Sequence, residues 1–268
     1  MKAEKKRELI GKVPFWYHSI DCGDGIVTPG RISLASLKNQ WKCMELPDLK
    51  GKSVLDIGCW DGFYSFAAED LGARRVMAMD HYVWSLDLAR QQQYWEDCRQ
   101  KKVVPRPYHE IPELWKPDTL PGKIGFDMVH QIRDSSVEQV VGDFMTIDAG
   151  KTGVFDVVFF LGVLYHLEDP FGGLRRLSLF TRELAVIETA AVYLPEHEDI
   201  GLYEFYESSE LGDDVGNWFA PNLQGLTKSC RAAGFREVVP KSIYPPASNQ
   251  SGESSGFLRC RLLVHACK

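Results

Sequence analysis

A glycine turn flanked by acids is the part of this sequence best suited to chemistry. The run VLDIGCWDG at 54–62 predicts a strand, a turn and a helix start, and Asp80 ends the next apolar run. Glycines at both ends of such a turn let the backbone approach a nucleotide-like ligand closely. A pyrophosphate-binding turn has the spacing G-x-G-x-x-G, but here Trp60 and Asp61 stand where its middle glycine would be. We therefore expect a nucleotide-like ligand other than a dinucleotide.

The elements around this turn predict a parallel sheet flanked by helices. From residue 53 to about residue 239, short apolar runs alternate with longer amphipathic ones. Strands are predicted at 53–57, 76–80, 137–141, 156–160 and 184–188, with a last, antiparallel strand at 258–267. Helices are predicted at 61–70, 125–133, 171–180 and 222–233, and Gly234 closes the last of these as a left-handed cap. The stretch 245–256, rich in Ser, Pro and Gly, is predicted to be a loop.

Four ordered stretches resemble one enzyme family. They are D-x-G-x-x-x-G at 56–62, VGDF at 141–144, GVLYHLEDP at 162–170 and NWFAP at 217–221. The first resembles motif I of class I S-adenosylmethionine-dependent methyltransferases. The last two resemble the branch that contains the tRNA wobble-uridine carboxymethyltransferase and related small-molecule methyltransferases. The resemblance implies a Rossmann-like α/β fold with a seven-stranded, mostly parallel sheet, helices on both faces, and S-adenosyl-L-methionine as cofactor.

The resemblance also assigns cofactor-binding positions. The turn glycines and Cys59 would lie along the cofactor, and Asp80 would bind the ribose diol. An acid in the third stretch would lie near the adenine amino group, with the next residue against the ring face. Asp56 ends a buried strand, where an unpaired carboxylate is costly, so we expect it to be hydrogen-bonded near the cofactor's amino group. The predicted set is Asp56, Gly58, Cys59, Gly62, Asp80, Asp143, Phe144 and Leu161.

Methyl transfer from a sulfonium needs alignment of the acceptor, and a hydroxyl acceptor also needs a base. His166, which follows the fourth strand, is the first candidate for this base and His18 is the second. His166 has the alternative role of orienting its neighbouring tyrosine or capping the loop. Acceptor contacts are predicted for Trp16, Tyr17, Tyr165, Asn217 and Trp218. No metal site is predicted, because the acids and histidine at 196–199 are contiguous in a polar loop rather than spaced on one face.

One departure from the wobble-uridine branch concerns the methyl donor. Those enzymes use a carboxylated S-adenosylmethionine and hold its extra carboxylate with basic side chains, including an arginine just before the asparagine of the aromatic-proline turn. Here Gly216 stands at that position, and only Lys12 is similar to another of their basic residues. One cation clamps a carboxylate less well than a cation with a bidentate arginine. Ordinary S-adenosylmethionine is therefore the expected donor.

The composition narrows the class of acceptor. The 268-residue chain is 44% hydrophobic, which suffices for one sizeable core, and its net charge of −6 gives no general attraction to nucleic acid. A small-molecule acceptor is therefore expected, with tRNA as the less favoured partner. No apolar run approaches the roughly 20 residues of a membrane span, so no membrane partner is expected. The seven scattered cysteines predict free thiols in a reducing compartment such as the cytoplasm.

Two segments do not belong to a minimal version of this fold. Residues 1–50, with dense aromatics at 15–18 and an amphipathic stretch at 32–44, are predicted to form a lid, and residues 51–268 the methyltransferase domain. Residues 81–124 form an insertion after the second strand, with a helix at 85–101 and an irregular cover. Its aromatic residues could pack a small core of their own, wall the acceptor pocket or form a homodimer interface.

The leading hypothesis is an enzyme that methylates a small-molecule or glycosylated metabolite, with transfer to oxygen favoured. The first alternative is a tRNA wobble-uridine (carboxy)methyltransferase-like enzyme, against which Gly216 and the acidic charge speak. The second is a catalytically silent, methyltransferase-like binding module. A nicotinamide oxidoreductase is the least favoured hypothesis because the dinucleotide turn is missing.

Overall fold

Nine strands are present in the computed structural model, which describes residues 1–244 and 258–268. In chain order they are β1 (Ser53–Ile57), β2 (Arg75–Asp80), β3 (Glu138–Val141), β4 (Phe155–Leu161), β5 (Thr181–Tyr193), β6 (Tyr203–Phe205), β7 (Phe219–Pro221), β8 (Glu237–Tyr244) and β9 (Leu258–Cys267). Seven of them form one sheet in the order β3-β2-β1-β4-β5-β9-β8, and β6 pairs with β7 separately. The sheet is mostly parallel, so the expected α/β fold is confirmed.

The chain divides into two compact units, residues 1–146 and 147–268. The first contains β1 to β3 and five α-helices: α1 (Ala3–Ile10), α2 (Leu34–Cys43), α3 (Phe63–Asp70), α4 (Leu88–Lys101) and α5 (Ile124–Arg133). Its three strands run parallel, with Asp56 beside Ala78 and Asp80 beside Val141. All five residues of β1 are buried, which accounts for its apolar Val54, Leu55 and Ile57.

Among its described residues, the second unit contains the remaining strands and three α-helices: α6 (Ala149–Thr152), α7 (Pro170–Phe180) and α8 (Leu223–Ala232). Strands β4 and β5 are parallel, whereas β9 runs antiparallel to both β5 and β8. The prediction of a last antiparallel strand at 258–267 is therefore confirmed. Gly234, just after α8, has φ +104°, which agrees with the predicted left-handed cap.

Several predicted bounds differ from the observed ones for local reasons. Helix α3 begins at Phe63 rather than residue 61 because Gly62, with φ +87°, is its N-cap. Helix α4 begins at Leu88 rather than residue 85 because the Asp87 side chain accepts a hydrogen bond from the Arg90 amide as N-cap. Strand β5 has 13 residues, eight more than the predicted strand at 184–188, and β8 was not predicted. The predicted loop at 245–256 lies outside the described residues.

The predicted lid does not consist of one element. It contains α1, α2 and, between them, an irregular segment with isolated bridges from His18 to Ile32 and from Asp21 to Val27. A lid function of residues 1–50 stays a prediction. None of the seven cysteines forms a disulfide, as expected. In the described part of the chain, no helix combines the length and the apolar character that crossing a membrane requires.

Candidate functional site

The glycine turn after β1 is held against the end of β2 by backbone hydrogen bonds. The amides of Gly58 and Cys59 both donate to the Met79 carbonyl, at 2.8 and 3.2 Å. Gly58 and Gly62 have φ of +74° and +87°, a region that non-glycine residues avoid. A Cβ on Gly62 would lie 2.7 Å from ring carbons of Phe126, so this position excludes larger residues sterically as well.

Trp60 is a left-handed residue inside this turn. Its φ is +53°, which is uncommon for a bulky residue and marks backbone strain. Two hydrogen bonds hold it there: its amide donates to Asp80 Oδ2 at 3.0 Å, and its carbonyl accepts from the Trp84 indole nitrogen at 2.7 Å. The acid at the end of β2 is thereby joined directly to the turn after β1.

Two buried carboxyl groups lie at the ends of β1 and β2. Asp56 is 2% exposed and accepts a hydrogen bond from Ser65 Oγ at 2.6 Å, while Asp80 is 4% exposed and also accepts from the Val83 amide at 3.0 Å. Burial raises the pKa of each carboxyl to about 6, and the hydrogen bonds oppose the rise in both cases. Burial, with a contribution from nearby acids, also raises the pKa of Cys59, so its thiol is not a nucleophile at neutral pH.

The predicted adenine pair follows β3 in the same unit. The Gly142 amide donates to the Asp80 backbone carbonyl at 3.2 Å, which ties this turn to the end of β2. Asp143 is exposed, and its Oδ1 accepts from the Met145 amide at 2.9 Å, whereas the Phe144 ring is buried. Asp143 thus forms a local turn and keeps an exposed carboxylate.

The N-terminal segment is fastened to the glycine turn by Trp60 and Asp61, the two residues that replace the middle glycine. The rings of Tyr17 and Trp60 are stacked, with centroids 3.9 Å apart and planes 7° apart. Asp61 Oδ2 accepts from the amides of Tyr17 and His18, at 3.0 and 2.9 Å, and Oδ1 contacts the imidazole Nδ1 of His18. The structure therefore brings Tyr17 and His18 to the predicted cofactor turn.

Trp16 is packed inside the first unit, and its role as an acceptor contact stays a prediction. It is 4% exposed, its indole nitrogen donates to the Ile10 carbonyl at 3.3 Å, and its ring lies close to Gly125 of α5. These contacts give Trp16 a packing role inside the first unit. The alternation of buried and exposed residues along irregular chain could not be predicted, because it follows no regular period.

The insertion at 81–124 has a small core of its own. Leu86, Leu88, Tyr108 and Leu114 are buried together, and Phe15 and Trp60 pack against them. Trp84 is fully buried, and as described it supports the turn backbone through its indole nitrogen. The structure therefore favours the self-packed alternative for most of the insertion, with the added function of supporting the glycine turn.

In the second unit, Tyr165 and two charged residues form a half-buried cluster after β4. Arg261 of β9 makes two hydrogen bonds to the Glu188 carboxylate of β5, and its guanidinium carbon lies 5.0 Å from the centroid of the Tyr165 ring. Gly162, after the half-buried Leu161, donates its amide to the Glu188 carbonyl at 2.9 Å. Burial raises the pKa of the Tyr165 hydroxyl, and the charge of Arg261 opposes this rise.

His166 lies beside Tyr165, with ring centroids 4.2 Å apart. Its Nδ1 lies 2.8 Å from the Gly216 carbonyl, which can only accept, so Nδ1 carries the hydrogen and Nε2 has the lone pair. The residue is exposed, yet the protein packed around the ring lowers the pKa of His166 by desolvation, while Asp214 opposes this. A neutral imidazole at physiological pH is suited to accept a proton.

Asn217 and Trp218 are joined to the same cluster mainly through the backbone. The Trp218 amide donates to the Tyr165 carbonyl at 2.8 Å. Asn217 is 5% exposed, and its amide nitrogen donates to the Leu211 carbonyl at 2.6 Å, while its Oδ1 has no hydrogen-bond partner among the described residues. Asn217 is therefore too enclosed for an open binding surface, but it carries one unsatisfied acceptor.

The sequence analysis missed three charged residues. They are Asp61, which contacts His18, and Glu188 and Arg261, which lie beside Tyr165. Asp61 was noted only as a departure from the dinucleotide turn, although a charged residue inside a buried turn was itself a signal that a partner existed. Glu188 and Arg261 lie in apolar strands, and an isolated charge in a buried strand indicates an ion pair. Their pairing could not be predicted, because the residues are 73 positions apart in the sequence.

No protein-family model matches this chain. Curated relatives named tRNA U34 carboxymethyltransferase are similar to it. The one from Campylobacter hominis is 23% identical over 203 residues, covering 76% of this chain and 57% of the relative. The one from Methylococcus capsulatus is 24% identical over 236 residues, covering 84% and 57%. The chain thus spans little more than half the length of the curated relatives it matches.

Among solved structures, the N-terminal domain of EvdMO1 shares the fold. The crystal structure determined in the presence of S-adenosylhomocysteine (SAH) and D-fucose has a TM-score of 0.60 at 14% identity. The match covers 100% of this chain and 97% of that domain. A second crystal structure of the same domain, with SAH bound, has a TM-score of 0.59. The chain therefore has the class I methyltransferase type of α/β fold and resembles the tRNA U34 carboxymethyltransferases across most of its own length.

Proposed function

We propose that this protein is an S-adenosylmethionine-dependent methyltransferase that acts on a hydroxyl of a small-molecule or glycosylated metabolite. One observation carries the proposal: the buried acid at the end of β2, Asp80, is hydrogen-bonded to the strained glycine turn after β1. A hydrogen-bond acceptor suited to a diol is thereby joined to a turn whose glycines have positive φ.

The chemistry of these residues fits the proposed cofactor. Burial raises the pKa of Asp80 although backbone amides donate to its carboxylate, and two ribose hydroxyls would donate further hydrogen bonds to the ionised form. Asp56 and the turn from Gly58 to Gly62 would hold the amino acid part, and Asp143 with Phe144 the adenine. When bound, S-adenosylmethionine supplies an activated methyl group on a cationic sulfur. Buried acids nearby favour a cation over a neutral ligand.

The residues of the chain would contribute alignment and proton acceptance. His18 and His166 each present a ring whose Nδ1 is engaged by an oxygen, which leaves Nε2 with the lone pair in the neutral form. Either ring could take the proton of an acceptor hydroxyl. Tyr17 in the first unit supplies aromatic surface for an acceptor, as Tyr165 and Trp218 do in the second, and such surface also stabilises a nearby cation.

The class of acceptor has support from one neighbour and from the charge of this chain. The EvdMO1 domain, with which the fold is shared, was crystallised in the presence of the sugar D-fucose. The net charge of −6 disfavours a polyanionic acceptor such as tRNA. We therefore propose a sugar-like or other small hydroxyl acceptor, and a reducing, cytoplasmic location in view of the seven free thiols.

The main experiment measures binding and transfer separately. Calorimetry with SAH tests the cofactor site, and incubation with S-adenosylmethionine labelled in its methyl group tests transfer. D-fucose, a metabolite extract and bulk tRNA would serve as acceptors in parallel. Label in the small-molecule fractions supports the proposal, and label in tRNA alone contradicts the proposed acceptor. No SAH binding by the folded protein would contradict the cofactor assignment.

A second candidate function is carboxymethyl transfer, which the names of the curated relatives favour. It requires a cation for the extra carboxylate of the donor. Arg261 is a half-buried arginine beside Tyr165, but Glu188 already occupies two of its donors. We therefore expect plain S-adenosylmethionine to bind at least as tightly as its carboxylated analogue in direct competition. Clear preference for the carboxylated donor would favour the second candidate.

A further inference from the structure

Asp61 and His18 form a buried pair in which the chemistry of the carboxylate dictates the state of the ring. Their side chains are 4% and 8% exposed. A carboxylate can only accept hydrogen bonds, so the ring nitrogen that contacts Oδ1, Nδ1, must carry a hydrogen. The other carboxylate oxygen accepts two backbone amides and is thereby fixed in orientation.

The opposite ring nitrogen of His18 is left without a partner. No described residue makes a hydrogen bond to Nε2, so in the neutral ring this atom presents its lone pair. The ring is surrounded by the aromatic groups of Tyr17, Phe63 and Tyr64, none of which donates to it. The charged groups that face it are Asp61 and, from β1, Asp56, whose carboxylate interacts electrostatically with the ring.

The backbone that carries His18 is held rigidly. Thr28 Oγ1 accepts from the Ile20 amide at 2.8 Å and donates to the His18 carbonyl at 2.9 Å. A Cβ on Gly30 would lie 2.1 Å from the carbonyl carbon of His18, so only glycine allows this close approach. The ring is therefore positioned from both sides, by the segment at 28–30 and by Asp61.

We propose that Asp61 is a positioning residue that holds His18 as the Nδ1-protonated tautomer, so that Nε2 takes the proton of the acceptor hydroxyl. This rests on the methyl transfer proposed above. In that step the hydroxyl oxygen forms a bond to the methyl carbon, the carbon–sulfur bond breaks with its electron pair remaining on sulfur, and the hydroxyl proton moves to Nε2. Asp61 stays ionised and stabilises the resulting imidazolium.

The tautomer can be measured without knowing the acceptor, by NMR of protein with nitrogen-15-labelled histidine. We expect His18 to show a protonated Nδ1, as His166 does through the Gly216 carbonyl. His130 serves as the opposite control, because its Nε2 lies 3.0 Å from the Val137 carbonyl and must carry the hydrogen. These two histidines give reference signals for both tautomers within the same sample.

The variant Asp61→Asn should invert the His18 tautomer. An amide has one oxygen, and if that oxygen accepts the two backbone amides, the NH2 group faces Nδ1 and donates to it. The hydrogen then moves to Nε2, and the ring can no longer accept a proton there. The signals of His166 and His130 should not change. A purely structural pair would lower stability while leaving the His18 tautomer unchanged, and that result would overturn the proposal.

Transfer of labelled methyl to the active acceptor fraction provides the second readout. Asp61→Asn and His18→Gln should each lower the rate about 10²–10⁴-fold, whereas His130→Gln should retain the wild-type rate. SAH calorimetry on the same variants shows whether a lower rate comes from lost cofactor binding or from lost proton acceptance. If the wild-type protein bound no SAH, the proposed function would fail while the tautomer measurement still decided the role of Asp61. Normal rates in both variants with SAH bound would overturn the assignment of His18 alone.

Discussion

SAH affinity should decline at acid pH because Asp80 becomes protonated. Burial raises the pKa of this carboxyl from 3.8 to about 6 in the free protein, a difference of about 2 that corresponds to ~3 kcal/mol. The ribose hydroxyls donate hydrogen bonds, so they bind the ionised carboxylate and not the protonated one. At pH 5 about a tenth of the protein is ionised at Asp80, and the apparent affinity should be about tenfold weaker than at pH 8.

The variant Asp80→Asn tests this reasoning at neutral pH. Loss of the charged acceptor should weaken SAH binding at pH 8 by roughly 10–100-fold, because hydrogen bonds to charged groups contribute about 1.5–3 kcal/mol. The variant should also lose the part of the pH dependence that belongs to Asp80. Any dependence that remains near pH 6 would belong to Asp56, whose pKa is also about 6.

Stability gives an independent check on the same residue. Because the pKa is raised on folding, protonated Asp80 stabilises the folded state below pH 4, and this contribution is lost as the pH rises through about 6. The unfolding free energy of the wild-type protein should therefore show this decline, and in Asp80→Asn the decline should be smaller, with the remainder belonging to Asp56. At pH 5 and pH 8, calorimetry measures the change in SAH affinity and urea unfolding measures the change in unfolding free energy. Wild-type SAH affinity in the variant at pH 8 would refute the assignment of Asp80 to the ribose.

Three further predictions concern stability and transfer. Gly62→Ala should cost about 1–3 kcal/mol of unfolding free energy from overpacking, seen by urea unfolding, beyond the cost of Gly51→Ala, which has a similar φ of +73° but open space around it. Trp84→Ala should lower the unfolding free energy by about 3–5 kcal/mol and weaken SAH binding, because it removes a buried ring and its hydrogen bond to the turn. As a control, replacing the half-buried Trp115 by alanine should leave SAH affinity nearly intact. Equal effects of the two variants would contradict the supporting role of Trp84. If His166 rather than the Asp61-held histidine is the base, His166→Ala should lower methyl transfer by about 10²–10⁴-fold at unchanged SAH affinity, and a near-normal rate would remove it from consideration.

The fold was predictable to the extent that each element carries a local pattern. Strands β1 and β2 are short and mostly apolar, and the positions of α5 and α7 follow from helical periodicity. Strand β8 was missed because Pro240 and Lys241 interrupt its apolar pattern, and the register shifts there in its pairing with β9. Such a strand forms because it pairs with the neighbouring β9, and its own residues do not show a strand pattern.

In the candidate site, too, some residues were predictable from local sequence and others needed the structure. Gly58, Gly62 and Asp80 were predictable because the spacing of glycines and an acid reflects a local backbone requirement. Trp16 was predicted to contact the acceptor, but its residue type suits both binding and packing, and only the structure shows that it is 4% exposed. The clusters of Glu188 with Arg261 and of Asp61 with His18 needed the structure, because each joins residues distant in the sequence.

By itself, the sequence determined most strands of the main sheet, the glycine turn and the acid that follows it, since these depend on periodicity and on backbone conformations that few residues can adopt. The tertiary structure decided what Trp60 and Asp61 do in place of a glycine. One stacks on Tyr17 and the other fixes His18, and neither partner can be inferred from a run of adjacent residues. Such contacts form only when folding brings remote segments together and removes their polar groups from water, which makes each buried donor and acceptor find a partner.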